Sequence, residues 1–289
     1  MSQLVLIKNR IKAIETIEKT THAMRLVSMS NHMRLRDQEP YRTNYQNIIK
    51  DLFQNLVAKC PTWKHFIFNP TPNSKNLIII IGSQKGLCGN FNHALFNFFK
   101  SHFSVIDPEK TDIISVGKKT EEYLSICNLK PIKSYNTFSP HNTTIISQKI
   151  TQYLSKKENQ YNSISIINNY QKTFFTQKQA LSIIVPLENT KKETDTIQPK
   201  QIEEYTWLEE PHDILNRLIW TYLEVIIEYH LFQSILSEQA ARFVSMDNST
   251  RNAQETLITM HKQYNKLRQA KITKELTELS TSFQFNNRT

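Results

Sequence analysis

The sequence predicts an α+α/β protein, in which long N- and C-terminal helices pair as an antiparallel coiled coil around a small central α/β domain. Three observations carry this. The helix breakers are segregated: the 289-residue chain has four glycines, Gly82, Gly86, Gly89 and Gly117, and no proline before Pro40 or after Pro211. Both ends carry apolar residues at helical spacing. The middle alternates short β-branched runs with helical stretches.

At the N-terminus Ile7, Ile11, Ile14, Thr21, Met24 and Val27 recur at spacings near three and four, with Glu18 interrupting the apolar series. That stripe has coiled-coil width. Residues 3–58 would form a rod of roughly 80 Å, bent at Pro40. The middle opens with Leu77–Ile81, an apolar run ending at Gly82 that reads as a buried strand. Residues 112–116, 163–168 and 181–185 read as further strands, with helices over 90–104, 118–128 and 141–158 between them. This alternation predicts a mostly parallel, Rossmann-like sheet. Residues 189–201 are polar and read as a loop.

Residues 212–289 run for 78 positions without glycine or proline. Leu257, Met260, Tyr264 and Leu267 form a stripe, and after a skip near Ala270 it resumes at Leu276, Leu279 and Phe283. Residues 212–284 would make a rod of roughly 110 Å. Each rod has an apolar seam, and packing the two together covers both. The expected organisation is 1–60 as N-terminal coiled-coil helix, 75–205 as central α/β foot and 208–285 as C-terminal coiled-coil helix.

Composition excludes several classes. Hydrophobic residues make up 39%, charged residues 21%, aromatics 10%, and mean hydropathy is −0.49, a soluble and foldable balance. The run Leu218–Leu236 carries Glu224 and Glu228, which argues for a buried helix over a membrane span. The N-terminus, with Glu15 and Glu18 and no long apolar core, reads as mature protein and not as a targeting peptide. The net charge of +10 is confined to two stretches. Residues 1–36 hold seven Lys/Arg against two Glu, and residues 251–274 hold six against one, so each contributes +5. A basic rod fits nucleic acid or an acidic protein sleeve.

Gly82-Ser-Gln-Lys-Gly-Leu-Cys-Gly89 lies between a strand and a helix, where phosphate-cradling loops lie. Its spacing is neither GxxxxGK[ST] nor GxGxxG, so it reads as a tight turn. Cys88 near a helix start, with His93 as the nearest base, is the one nucleophile candidate. The nine histidines and three cysteines show no metal-ligand spacing, and no cofactor is expected. Two alternatives stay open on the residues alone: an independent nucleotide- or thiol-dependent α/β enzyme, and a basic coiled-coil nucleic-acid binder.

Three stretches together resemble the gamma-subunit family of F-type ATP synthase. They are Arg10-Ile-Lys-Ala-Ile with Thr20-Thr-His-Ala-Met24-Arg-Leu-Val27 and Met33-Arg34; Gly82 to Asn92; and Ser237-Glu-Gln-Ala-Ala-Arg-Phe-Val-Ser-Met-Asp-Asn248, continuing to Tyr264–Glu278. The resemblance spans the chain, strongest at the ends. It implies a non-catalytic rotor shaft standing inside a ring of three alpha and three beta subunits, its foot against epsilon and the c-ring. It places the protein peripherally on the cytoplasmic face of a bacterial inner membrane, with an organellar membrane as the alternative. It implies beta-subunit contacts at Met24, Arg242, Gln269, Thr273 and Glu275, a basic rod surface at Lys8, Arg10, Arg25, Arg34, Lys266 and Arg268, a foot loop of Gly82, Lys85, Gly86 and Gly89, and Trp207 on the c-ring side. Gln84 and Asn90 depart from the family's usual Asp and Gly, and the tail from Ser282 replaces a run of small apolar residues. The paired redox cysteines of the chloroplast form are absent, so no thiol switch is expected.

Overall fold

The computed structural model describes residues 3–68, 70, 74–103, 107, 109–157, 160–187 and 209–286, with side chains to Ser280. The chain divides into two compact units, Met1–Met29 with Arg242–Thr289, and Ser30–Ala241. Two helices, α1 (Gln3–Arg36) and α6 (Pro211–Asn286), contribute to both.

In the larger unit a five-stranded sheet has the order β3-β2-β1-β4-β5. Its strands are β1 (Lys75–Ile81), β2 (Thr111–Val116), β3 (Lys133–Tyr135), β4 (Tyr161–Thr173) and β5 (Thr176–Val185). The first four are parallel, and β5 returns antiparallel through a tight turn at Phe174–Phe175. Central β1 is the isoleucine run: Leu77 to Ile81 are at most 1% exposed, because helices cover both faces. On one face α3 (Phe91–His102) and α4 (Lys118–Ile126) bury Leu95, Phe99 and Leu124 against Ile78 and Ile80. On the other, α2 (Glu39–Lys59), α5 (Thr143–Ser155) and the first half of α6 close over Leu77, Ile79 and Ile81. The expected mostly parallel sheet is present. The structure adds β3 and extends β4 and β5 into a long hairpin.

The bend expected at Pro40 is a break placed before it. α1 ends at Arg36, Asp37 and Gln38 turn, and α2 starts at Glu39 with Pro40 in its first turn. Proline lacks the N–H that an interior helical position needs, but the first turn of a new helix does not use it.

Glu228 of α6 ties three helices together. Its Oε1 accepts from Arg42 Nη1 of α2 at 2.7 Å and from Thr144 Oγ1 of α5 at 2.8 Å. The Arg42 guanidinium also lies 4.6 Å from the Phe232 ring centroid, a cation–π contact.

His230 on the same helix is desolvated, which pushes its pKa down from 6.5 to about 4. A depressed histidine pKa means that the unfolded chain binds the extra proton first. Stability is therefore full above about pH 6.5 and declines as pH falls toward 4. We expect acidification from neutral pH to about pH 5 to cost about 2 kcal/mol through this residue alone. Denaturant titrations of the wild type and His230→Phe at pH 7 and pH 5 check it; the variant should lose that part of the pH dependence.

Candidate functional site

In the smaller unit, three cross-helix contacts set the register of α1 against α6. Arg25 Nη1 meets Asp247 Oδ1 at 2.7 Å, Thr250 Oγ1 donates to Thr21 Oγ1 at 2.9 Å, and Gln254 Nε2 donates to Glu18 Oε1 at 3.0 Å. As α1 numbers fall, α6 numbers rise, so the pairing is antiparallel. Along α1 the less exposed positions include Leu4, Ile7, Ile11, Ile14, Glu18, Thr21, Arg25 and Ser28. Along α6 they include Met246, Thr250, Ala253, Leu257, Met260, Tyr264 and Leu267, an alternation of three and four. Glu18 interrupts the apolar series because it is one of three successive polar layers, each satisfied across the seam.

Asp247 also accepts from Arg251 Nε at 3.0 Å, so one carboxylate holds two guanidiniums. Arg25 and Asp247 are 26% and 17% exposed, enough shielding for the pair to matter. Asp247→Ala leaves both cations uncompensated and should destabilise the paired helices by about 1–3 kcal/mol. A thermal melt with an Arg25→Ala/Asp247→Ala cycle reads the coupling; additive effects would mean that the pair contributes nothing.

From Arg268 to Ser280 every α6 side chain is exposed. Antiparallel register sets Leu267 against Leu4, near the start of α1, so the helix continues past its partner. Ile272, Leu276 and Leu279 make an apolar stripe on this stretch, 49%, 62% and 56% exposed. Lys271–Glu275 and Lys274–Glu278 form surface ion pairs at 3.5 and 3.8 Å.

The structure places the residues singled out in the sequence as follows. Gln269, Thr273 and Glu275 lie together on the bare stretch with Arg268, and Thr273 Oγ1 donates to the Gln269 carbonyl at 3.0 Å. Lys266 is exposed just before it. Arg242 is buried, 7% exposed, and stands about 40 Å away along α6. Met24 is half-buried and Lys8, Arg10 and Arg34 are exposed. Arg25 is a structural cation held by Asp247. Trp207 lies outside the described residues.

The glycine loop is closed on itself. Ser83 N–H donates to Asn92 Oδ1 at 3.1 Å, Asn92 Nδ2 donates to Ser83 Oγ at 2.8 Å, and Ser83 Oγ donates to the Lys85 carbonyl at 2.7 Å. Gln84 Oε1 accepts from Phe138 N–H at 3.1 Å. Cys88 is buried, with Asn92 Nδ2 3.3 Å from its sulfur, whereas His93 is exposed and its ring pairs with Asn97 at 2.9 Å. The loop thus spends its polar groups on its own shape, and the Cys88–His93 pairing needed for thiol catalysis is not assembled. At the loop's exposed rim are Lys85, Leu87 and Gly89, the last two with φ of +62° and +59°. Gly82 and Gly86 complete the turn, and no group of His, Cys, Asp or Glu able to hold a metal occurs among the described residues.

A family model described as ATP synthase matches residues 3–284. The ATP synthase gamma chain of Rickettsia canadensis is 30% identical over 287 residues, covering 96% of this chain and 98% of that protein. The chain belongs to the ATP synthase gamma-chain family. The Rickettsia felis gamma chain is similar to it to the same extent, 30% over 287 residues with the same coverage. Among solved structures, the central stalk and c-ring of Tetrahymena thermophila mitochondrial ATP synthase has a TM-score of 0.58 at 18% identity, covering 79% of this gamma chain and 98% of that chain. An assembly of Euglena gracilis mitochondrial ATP synthase in rotational state 3 has a TM-score of 0.55 at 16% identity, covering 91% and 94%. At these identities the structures establish a shared fold. No described helix is long and apolar enough to cross a membrane.

Sequence reasoning missed the polar layers and the Glu228 clasp. Glu18 was visible as a flaw in the apolar stripe, but its partner Gln254 lies 236 residues away and carries no local signal.

Proposed function

We propose that this gamma chain is the rotating central shaft of an F-type ATP synthase, a non-catalytic subunit coupling ion-driven c-ring rotation to the conformational cycle of three beta subunits. The observation that carries the reading is the antiparallel α1–α6 pair with α6 continuing bare beyond it. A lopsided rod inside a threefold ring cannot meet its three neighbours alike. Each orientation favours a different conformation at each site, and turning the rod passes those states around the ring.

The partners are three alpha and three beta subunits around the rod, and epsilon and the c-ring at the foot. In this reading 1–60 and 208–285 make the shaft and 75–205 the foot. Met24, Arg242, Gln269, Thr273 and Glu275 face beta, while Lys8, Arg10, Arg34, Lys266 and Arg268 present positive charge to an acidic sleeve. The loop of Gly82, Lys85, Gly86 and Gly89 belongs to the foot, and Trp207 faces the c-ring. A turning shaft needs many weak contacts, and exposed charge pairs of about 0–1 kcal/mol suit that. The Ile272, Leu276 and Leu279 stripe suits an apolar bearing at the top of the ring. The complex is a peripheral membrane assembly, and we place it on the cytoplasmic face.

Co-expression with alpha and beta subunits tests this. The expected product holds one copy of the chain per three of each partner, and the isolated chain neither binds nor hydrolyses ATP. ATP turnover by the isolated chain, or salt-steep DNA binding without ring assembly, would sink the reading.

A further inference from the structure

We propose that Ser234 and Ser237 of α6, seated on the end of β1 and on β4 just past the stretch it pairs with β1, form an angular key that fixes the roll of α6 against the foot and passes torque into the shaft. The inference rests on the shaft reading above.

In open parallel sheets, a crevice forms beyond the carboxyl ends of the strands where the strand order reverses, and there such folds hold their ligands. Here β1 is flanked by β2 on one side and β4 on the other, so the reversal lies between β1 and β4. The occupant is the protein's own helix. Ser234 Oγ donates to the carbonyl of Ile81, the last residue of β1, at 3.4 Å. Ser237 Oγ donates to the carbonyl of Asn169 in β4 at 3.2 Å. Asn168 Nδ2 reaches the His230 carbonyl one turn lower on α6 at 3.5 Å. Positions 230, 234, 237 and 241 share one face of the helix, and Ala241 packs against Cys88 and Phe91. Small side chains on this face let the helix approach the strand ends, which gives the Ser237-Glu-Gln-Ala-Ala stretch a physical reason.

Elsewhere in this unit the α6 seat is mostly apolar, with Leu215, Ile219, Leu223, Ile227 and Leu231 fully buried, and its hydrogen bonds through Asn216, Glu228 and Gln233 go to α2, α5 and Trp63 and not to the sheet. Apolar burial holds the helix down but is non-directional, so it resists rolling weakly. Hydrogen bonds weaken steeply once misaligned, and rolling by one residue turns the face through about 100°. Asn168 Oδ1 is buried with no hydrogen-bond partner among the described residues. An apolar residue would sit there at lower cost, so stability alone does not account for the asparagine. Asn169 extends the key sideways: its Nδ2 donates to the Phe91 carbonyl at 3.1 Å and its Oδ1 accepts from Gln179 at 3.0 Å. Torque on the sheet and α3 therefore meets α6 through the directional bonds of Ser234, Ser237 and Asn168.

The test uses the assembled complex with a bead attached at Cys127, the one exposed cysteine. With the catalytic ring stalled, the angular fluctuation of the bead reports the stiffness between foot and rod. Ser234→Ala/Ser237→Ala should widen the angular variance by about twofold or more, since both serine bonds from α6 to the sheet are gone. Asn168→Leu should widen it too while leaving the chain's melting temperature equal or higher, an outcome that a purely structural role would not give. Unchanged variance in both variants overturns the key while the shaft stands. A wild-type bead that never turns on adding ATP sinks the shaft reading and the key with it.

Discussion

Gln263→Pro should abolish coupling. Gln263 is exposed in the paired stretch of α6, so the substitution disturbs no buried side chain. Its effect is on the backbone: proline removes one helical hydrogen bond and its ring clashes with the preceding turn, costing about 3 kcal/mol or more and kinking the helix. The apolar layers at Met260, Tyr264 and Leu267 flank the site, and a kink there pulls them from Ile11, Ile7 and Leu4. A kinked rod no longer presents a fixed lopsided profile to its ring. The expected result is a complex that assembles through the foot and loses ATP-driven proton pumping, while Gln263→Ala pumps normally. Normal pumping by the proline variant would mean that a continuous α6 is not needed.

Gly117→Ala should unfold the foot. Gly117 joins β2 to α4 with φ of +90°, a conformation that side chains rarely adopt. A Cβ there would lie 2.6 Å from the Gly82 carbonyl oxygen and 2.8 Å from that of Ser83. Both obstacles are backbone, pinned by the Gly82 N–H to Val116 carbonyl bond at 3.0 Å and the Lys119 N–H to Ser83 carbonyl bond at 3.1 Å. Strain and clash together should cost about 3 kcal/mol or more. Gly86→Ala is the control: its nearest neighbour would be Lys119 Cε at 3.8 Å, ordinary contact, and no positive φ is involved. Circular dichroism melts should show a large loss for Gly117→Ala and little change for Gly86→Ala.

Much of the fold was legible because it rests on local pattern. The three-and-four spacing from Leu257 to Leu267 and the isoleucines of β1 each state their own environment. The antiparallel direction followed from covering two seams joined by a long middle. The short β3 was illegible because Lys133–Tyr135 has no alternation, and it exists only by pairing beside β2. The β4–β5 hairpin was only half visible: its turn residues are Phe174 and Phe175, without the glycine or asparagine that marks most hairpins.

The candidate site was legible in a different way. Basic residues and the bare tip of α6 are surface properties, and surface charge reads directly from sequence. Pairings are not local. Arg25 looked like one more cation on a basic helix, and only the fold shows Asp247 holding it at 2.7 Å. Ser234 and Ser237 looked like ordinary helix polar residues until the strand ends lay beneath them. The glycine loop misled in the opposite direction. Its strand-to-helix context suggests a ligand cradle, but Ser83, Gln84 and Asn92 close it from within.

Rotation of the foot relative to the ring is the most direct test of the shaft. With alpha and beta fixed to a surface, a label on Cys127 should turn in one direction when ATP is added, pausing at each third of a turn. ATP hydrolysis at full rate with the label stationary would contradict it.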